Sequence, residues 1–278
     1  GRQTWLPYTA YNGFRHVEIS VESPFRSVTI YGIKGKVISS VHYETGAIET
    51  SDADVNRLIR NSFWGQMGNW TTIPTDCPQR TERCGWTGDI QLFSNTAMFN
   101  YDSMPFLDNM VGIYDENAAH NSNNYGVVMP VAFNGGYATM LSSGWSDVGV
   151  IVPWNLYMQT GDVHIVERSY DQMDLYMDRV AAVGYNTRMF GDWLAFNGAS
   201  LTYVNAVHEV YCTQLMAKMA AVIGRGDMIQ KYEQRYAQLK EDFLQAPVLA
   251  ANGSRTGGGF VFDEDGTHAQ TDYEYKAG

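Results

Sequence analysis

The chain has 278 residues, 45% hydrophobic and 18% charged, a soluble globular balance long enough to bury a sizeable core. Its formal net charge is −11 and no Lys/Arg cluster appears, which disfavours nucleic acid and fits a neutral ligand better than an anionic one. No run approaches the ~18 apolar residues of a membrane-spanning helix, so no membrane partner is expected.

Residues 1–50 read as β. The stretch Phe14 to Ile19 alternates apolar and polar residues as a half-buried strand does, and Ser27 to Tyr31 and Lys36 to Tyr43 repeat the pattern. Gly13, Pro24, Gly32 and Gly35 punctuate them. The pattern changes near Ser51. Ser51 or Asp52 is placed to cap a helix running through Val55, Leu58, Ile59 and Phe63. A second helix is expected from Asp89, as its cap, to about Tyr114. Ile90, Leu92, Phe93, Ala97 and Met98 form its apolar face, and Pro105 breaks it. A short apolar helix follows Asp147, from Val148 to Met158. Three more stripes at three-to-four spacing occupy 162–183, 201–223 and 227–244. The chain past residue 50 is thus mainly α. Its connections at 71–88, 120–144 and 190–200 are long, and long loops on a helical scaffold carry function.

The stretch Thr75 to Asp89 concentrates chemistry. It holds the acids Asp76, Glu82 and Asp89, with Arg80, Arg83 and Trp86, in a loop broken by Pro78, Gly85 and Gly88. Glycoside hydrolysis needs one protonated carboxylic acid beside the glycosidic oxygen and a second carboxylate as base or nucleophile. Aromatic faces hold pyranose rings, and Arg and carboxylate groups hold the hydroxyls. Surface salt bridges plus a helix cap would produce the same composition, so on residue chemistry alone the two readings stand level. The three cysteines, Cys77, Cys84 and Cys212, argue against a disulfide framework, although Cys77 and Cys84 are open to pairing in an oxidising compartment. The six histidines form no ligand pair at metal spacing, and His164 and His208 read as ordinary helix residues. No cofactor or metal motif is present.

The order Asp76-Cys77-Pro78-Gln79-Arg80, Glu82-Arg83, Gly85-Trp86-Thr87-Gly88-Asp89 resembles the signature of the glycoside hydrolase family 78 α-L-rhamnosidases. Gly144-Trp145-Ser146-Asp147 and Gly191-Asp192-Trp193-Leu194 resemble two further blocks of that family. The resemblance implies an inverting (α/α)6 barrel enzyme that removes terminal α-L-rhamnose, with rhamnose-containing glycosides as its partners. It implies residues 1–50 as the end of a β-sandwich domain and linker, and residues 51–278 as the N-terminal part of the barrel. It places Glu82 at the general acid. Asp76, Arg80, Trp86, Asp89, Trp145, Asp147, Asp192 and Trp193 fall at the sugar-binding subsite, and Asp147 equally suits a helix N-cap. Thr81 departs from a position that is often acidic in the family. No block for the general base appears, so the base is expected beyond residue 278 and the barrel is incomplete. Another (α/α)6 glycosidase, such as a glucosidase or unsaturated uronyl hydrolase, and a non-catalytic carbohydrate-binding homologue are the alternatives. Nothing in the sequence fixes an oligomeric state or a compartment; cytoplasmic, periplasmic and secreted locations all stay open.

Overall fold

A computed structural model describes residues 2–7, 10–21, 28–129, 137–185, 190–196 and 201–244, with strand residues 247–249, 255–258, 261–262 and 269–270. The chain forms two compact units, residues 1–85 with 97–103, and residues 86–96 with 104–278.

In the first unit, helix α1 (Ala53–Asn69) begins where the sequence places its cap. Asp52 accepts from the amides of Asp54 (2.8 Å) and Val55 (3.2 Å), satisfying two N–H groups that lack helical partners. The apolar face read from the sequence is only partly used: Phe63 is buried and Ile59 half-buried, whereas Val55 and Leu58 are exposed. Phe63, Trp70, Val41 and Tyr101 make the core, with the Phe63 and Tyr101 rings edge to face at 5.4 Å. A polar clamp closes it. Gln66 donates to Ala97 O (3.1 Å) and Ser103 Oγ (3.0 Å) and accepts from Asn100 Nδ2 (3.1 Å). Both polar atoms of that amide find partners inside the core, where an unmet group would be costly.

The expected strands at 14–19 and 36–43 do not form. The described residues of 1–50 contribute only a single bridge, Glu44 to Tyr101. Of the remaining expected strand, Ser27 lies outside the described residues and 28–31 is not strand. Alternation marks a residue pattern that suits a sheet, but a ladder needs a partner strand, and none of the described residues supplies one.

In the second unit the helices are the rest of α2 (Thr87–Asn100), α3 (Met104–His120), α4 (Val148–Thr160), α5 (Val163–Val183), α6 (Leu201–Val222) and α7 (Gly226–Leu244). The helix expected from Asp89 to Tyr114 is therefore two helices. Pro105 starts the second rather than merely breaking the first, since its missing N–H falls in a first turn where no helical acceptor exists. Asp89 lies inside the first turn of α2 instead of capping it, and Leu92 is exposed. Helix α4 is buried on every side from Val148 to Pro153, which explains why it shows no stripe. Gly161 ends it at φ +70°, donating to Tyr157 O (2.7 Å). Helix α5 packs its stripe of Val166, Tyr170, Met173, Met177 and Val180 inward, and Asp162 caps it by accepting from the His164 amide (3.0 Å). Its outer face carries Asp171, Asp174 and Asp178, which pair with Arg225 and Lys231 around the start of α7. Helices α6 and α7 are joined by three residues and form one hairpin. Two antiparallel ladders follow, Pro247–Leu249 with Arg255–Gly258 and Val261–Phe262 with Ala269–Gln270. Thr271-Asp272-Tyr273, whose sequence resembles the start of a helix that would continue the barrel, lies outside the described residues. Among the described residues no helix is long and apolar enough to cross a membrane.

Candidate functional site

The acidic loop of the first unit brings Asp76, Cys77, Arg80 and Glu82 together. Asp76 is fixed at both oxygens: Cys84 N–H donates to Oδ1 (2.9 Å) and the Cys77 thiol to Oδ2 (2.7 Å). The Asp76 amide donates back to Cys84 O (3.2 Å) and closes the loop. Arg80 is exposed. It donates from Nε to Cys77 Sγ (3.3 Å), pairs with Glu82 and stands 4.0 Å from Asp76. Cys77 first, and then Glu82, hold its guanidinium charged beyond the ordinary range. One oxygen of Asp76, the Cys77 sulfur and one oxygen of Glu82 lie within 4.8 Å of one another, and Arg80 supplies the positive charge of the cluster. Cys77 and Cys84 are both free thiols, so the pairing left open by the sequence is not made. Arg83 sits at φ +45°, a left-handed conformation that costs a non-glycine residue roughly 1–2 kcal/mol. Its side chain bonds Asn12 Oδ1 (3.3 Å) and lies over the Tyr11 ring at 4.9 Å.

The second unit holds the aromatic residues. Phe190 is buried and central, with Trp145 (4.9 Å), Trp193 (5.6 Å) and Trp86 (5.8 Å) around it, and Tyr137 lies 5.6 Å from Trp86. Trp193 and Asp192 are exposed, whereas Trp86 and Trp145 are half-buried, so three of the expected tryptophans share one cluster with part of their faces open. Gly88 lets Trp145 lie down: a Cβ there would meet the indole Nε1 at 2.7 Å. Asp89 is exposed one residue further on.

Asp147 behaves differently from the sequence expectation. It occupies the N-cap position of α4 but makes no capping bond. It is fully buried, accepts from Tyr176 OH (2.8 Å), Tyr185 OH (2.7 Å) and Gly144 N–H (2.7 Å), and faces His208 Nδ1 at 3.0 Å. The histidine approach is short but poorly aligned for a hydrogen bond, and the contact is a charge pair. Burial pushes the Asp147 carboxyl up, but His208, Tyr185 and the Gly144 amide outweigh it and hold the group below its usual range. For His208, burial pushes down and Asp147 outweighs it, raising the imidazole above its ordinary value. The carboxylate therefore reaches the aromatic cluster only through the groups it holds. His208 is not the ordinary helix residue its sequence suggests, and Tyr137, Tyr176, Tyr185 and Phe190 carry no sequence signal that marks them.

The profile of the bacterial alpha-L-rhamnosidase 6 hairpin glycosidase domain matches residues 43–273. The chain belongs to this family. As a member of the rhamnosidase six-hairpin family it has its helices as part of an (α/α)6 architecture. It is 35% identical over 88% of its length to an alpha-L-rhamnosidase of Formosa agariphila and 30% identical over 92% to one of Streptomyces avermitilis. It spans only about a quarter of those relatives, 27% and 25% respectively. Among solved structures, the native rhamnosidase of Aspergillus terreus aligns with a TM-score of 0.69 at 30% identity, covering 77% of this chain and 26% of that one. The Streptomyces avermitilis enzyme complexed with L-rhamnose aligns with a TM-score of 0.69 at 28% identity, covering 79% and 21%.

Proposed function

We propose that the full-length protein removes terminal non-reducing α-L-rhamnose from rhamnosides with inversion at the anomeric carbon. Glu82 is the general acid that protonates the leaving oxygen. Asp76, Arg80, Trp86, Asp89, Trp145, Asp192 and Trp193 hold the sugar, and the buried Asp147 acts only through the groups it holds. The base is a glutamate outside the 278 residues, and residues 1–50 end a β-sandwich domain that precedes the barrel.

The observation that carries this reading is the acidic loop. It pins Asp76 by two donors and holds Arg80 and Glu82 beside it. Such pinning fits groups that take fixed positions against a rigid ligand, because positioning accounts for much of catalytic rate. Family membership supplies the substrate class, since the relatives are named α-L-rhamnosidases and one structure holds L-rhamnose. A uronate-specific site gains no support from the loop arginines: Arg80 meets Glu82 and Asp76, and Arg83 meets Asn12 and Tyr11.

Proton NMR during the first turnovers of an aryl α-L-rhamnoside tests the stereochemistry. Inversion gives β-L-rhamnose first, followed by mutarotation. First release of the α anomer would require a nucleophile at ~5–5.5 Å from Glu82 and would overturn the inverting assignment.

A further inference from the structure

We infer that the buried Asp147–His208 pair is a positioning device that sets the face Trp145 presents to the sugar. The inference rests on reading Trp145 as part of the sugar subsite. Trp145 follows Gly144, whose φ of +76° is the left-handed conformation that favours glycine. The Gly144 amide is tied to Asp147 Oδ2 at 2.7 Å. The same carboxylate is held from α5 by Tyr176, from the segment after α5 by Tyr185, and faced from α6 by His208. The residue before the turn is also fastened to α6: Ser143 Oγ donates to Asn205 Oδ1 (2.6 Å). On its far side Trp145 is bounded by Gly88 and Phe190. The indole is therefore set between a wall and a turn, and the amide of the turn's glycine is held by one buried carboxylate.

A buried carboxylate keeps its geometry only while something compensates its charge. The Tyr176 and Tyr185 hydroxyls, the Gly144 amide, the Cys212 thiol and His208 approach it, and of these His208 is the one that brings a full positive charge. Its ring also lies against the turn: a Cβ on Gly144 would be 3.5 Å from Nε2. The other titratable groups near the pair are the Tyr176 and Tyr185 phenols and the Cys212 thiol, all pushed well above their ordinary values by burial first and by Asp147 next. They stay neutral at working pH. Glu209, next to His208 in sequence, is paired with Arg235 of α7 at 3.0 Å. His208 is thus the basic member of this set, and its proton carries the compensating charge.

Asp147 is held below the carboxylate range, so its share of the pairing is lost only in acid. His208 is raised, so its share is complete below the ordinary imidazole value and lost as pH rises through its own raised value. The turn is clamped between those limits and loosens above the upper one. The expected signature is a KM that climbs on the alkaline side while kcat holds, because Trp145 binds the ring without touching the reacting bond.

The experiment uses the full-length protein and its His208→Gln variant. KM and kcat for p-nitrophenyl α-L-rhamnoside are measured from about pH 5.5 to about pH 9, across the range where histidine titrates. Hydrogen exchange of the segment 142–147 is followed in parallel. In the variant we expect KM to rise about tenfold, kcat to stay within about twofold, and the segment to exchange faster, since ångström-scale misplacement of a binding group costs that much or more. The unmodified protein should approach the variant's KM as pH rises, and the variant's KM should be flat. Unchanged exchange in the variant, or a fall in kcat at constant KM, overturns the proposal. If the variant does not fold, the pH series of the unmodified protein decides, and a pH-independent KM refutes it. Faster exchange without a change in KM also refutes it, because Trp145 would then be moved with no effect on the sugar. If the protein cleaves no α-L-rhamnoside at all, the proposed function fails on its own, and the exchange arm still reports whether His208 holds the turn.

Discussion

Replacing Gly149 with Ala sets two physical effects against each other. Gly149 lies in the first turn of the buried helix α4, and exchanging a helical glycine for alanine normally gains at most about 1 kcal/mol. Here the added Cβ would lie 2.1 Å from two ring carbons of Tyr125 and 2.3 Å from a third. Ordinary contact is ~3.5–4.0 Å, so the ring or the helix must move by more than about 1 Å. Tyr125 has no room to move cheaply. It is fully buried, packs edge to face on Tyr176 at 5.2 Å and donates to Asp115 Oδ1 at 2.9 Å. Overpacking costs roughly 1–3 kcal/mol, and losing a hydrogen bond to a charged group about 1.5–3 kcal/mol. Set against the propensity gain, the net loss is about 2–4 kcal/mol. For a unit of this size that lowers the midpoint of its thermal transition by about 5–15 °C, read by calorimetry on the full-length protein. An unchanged or raised midpoint would show that α4 and Tyr125 are not packed as described.

Two further substitutions probe other parts of the same unit. Burial raises the Asp115 carboxyl to about 6, against the opposing bonds from Ser169 and Tyr125 and the charge of Arg168. Its folded value exceeds its unfolded one, so its contribution to stability is complete below the unfolded value near 4 and lost as pH rises through about 6. Asp115→Asn should therefore flatten the gain in stability seen on acidifying across that window, by roughly 2–3 kcal/mol at most, and an unaltered slope in the variant would discount the effect. Gly88→Ala forces a Cβ to 2.7 Å from the Trp145 indole, whose open side lets the ring yield. The expected result is a KM raised by about tenfold with a midpoint lowered by only about 1–2 °C, and a wild-type KM would remove Trp145 from the sugar subsite.

The helical half of the fold is legible in the sequence because amphipathic stripes and caps are local. Asp52 caps the helix it is placed to cap, and the α5 stripe of Tyr170, Met173 and Met177 is core. Reading fails where the decisive partner is distant. Strand-like alternation at 14–19 and 36–43 meets no ladder partner among the described residues. The exposure of Leu92 follows from packing that a 3.6-residue period cannot foresee. In the candidate site the contiguous block from Asp76 to Asp89 was legible as a block. Asp147 read equally as a cap or a lining residue, because the residues that bury it, Tyr176, Tyr185 and His208, stand 29, 38 and 61 positions away. Phe190 could be singled out only once Trp86, Trp145 and Trp193 were seen around it.

The central claim is that Glu82 supplies the proton in α-L-rhamnoside hydrolysis. Release of p-nitrophenol from its α-L-rhamnoside by the full-length protein and by Glu82→Gln tests this at neutral pH. A general acid contributes typically about 10²–10⁴-fold, so the unmodified protein should be active and the variant should lose activity by that factor. A variant within about threefold of the unmodified protein would contradict the role of Glu82, since that is far less than a lost general acid costs; an unmodified protein inactive on this substrate would contradict the proposed specificity.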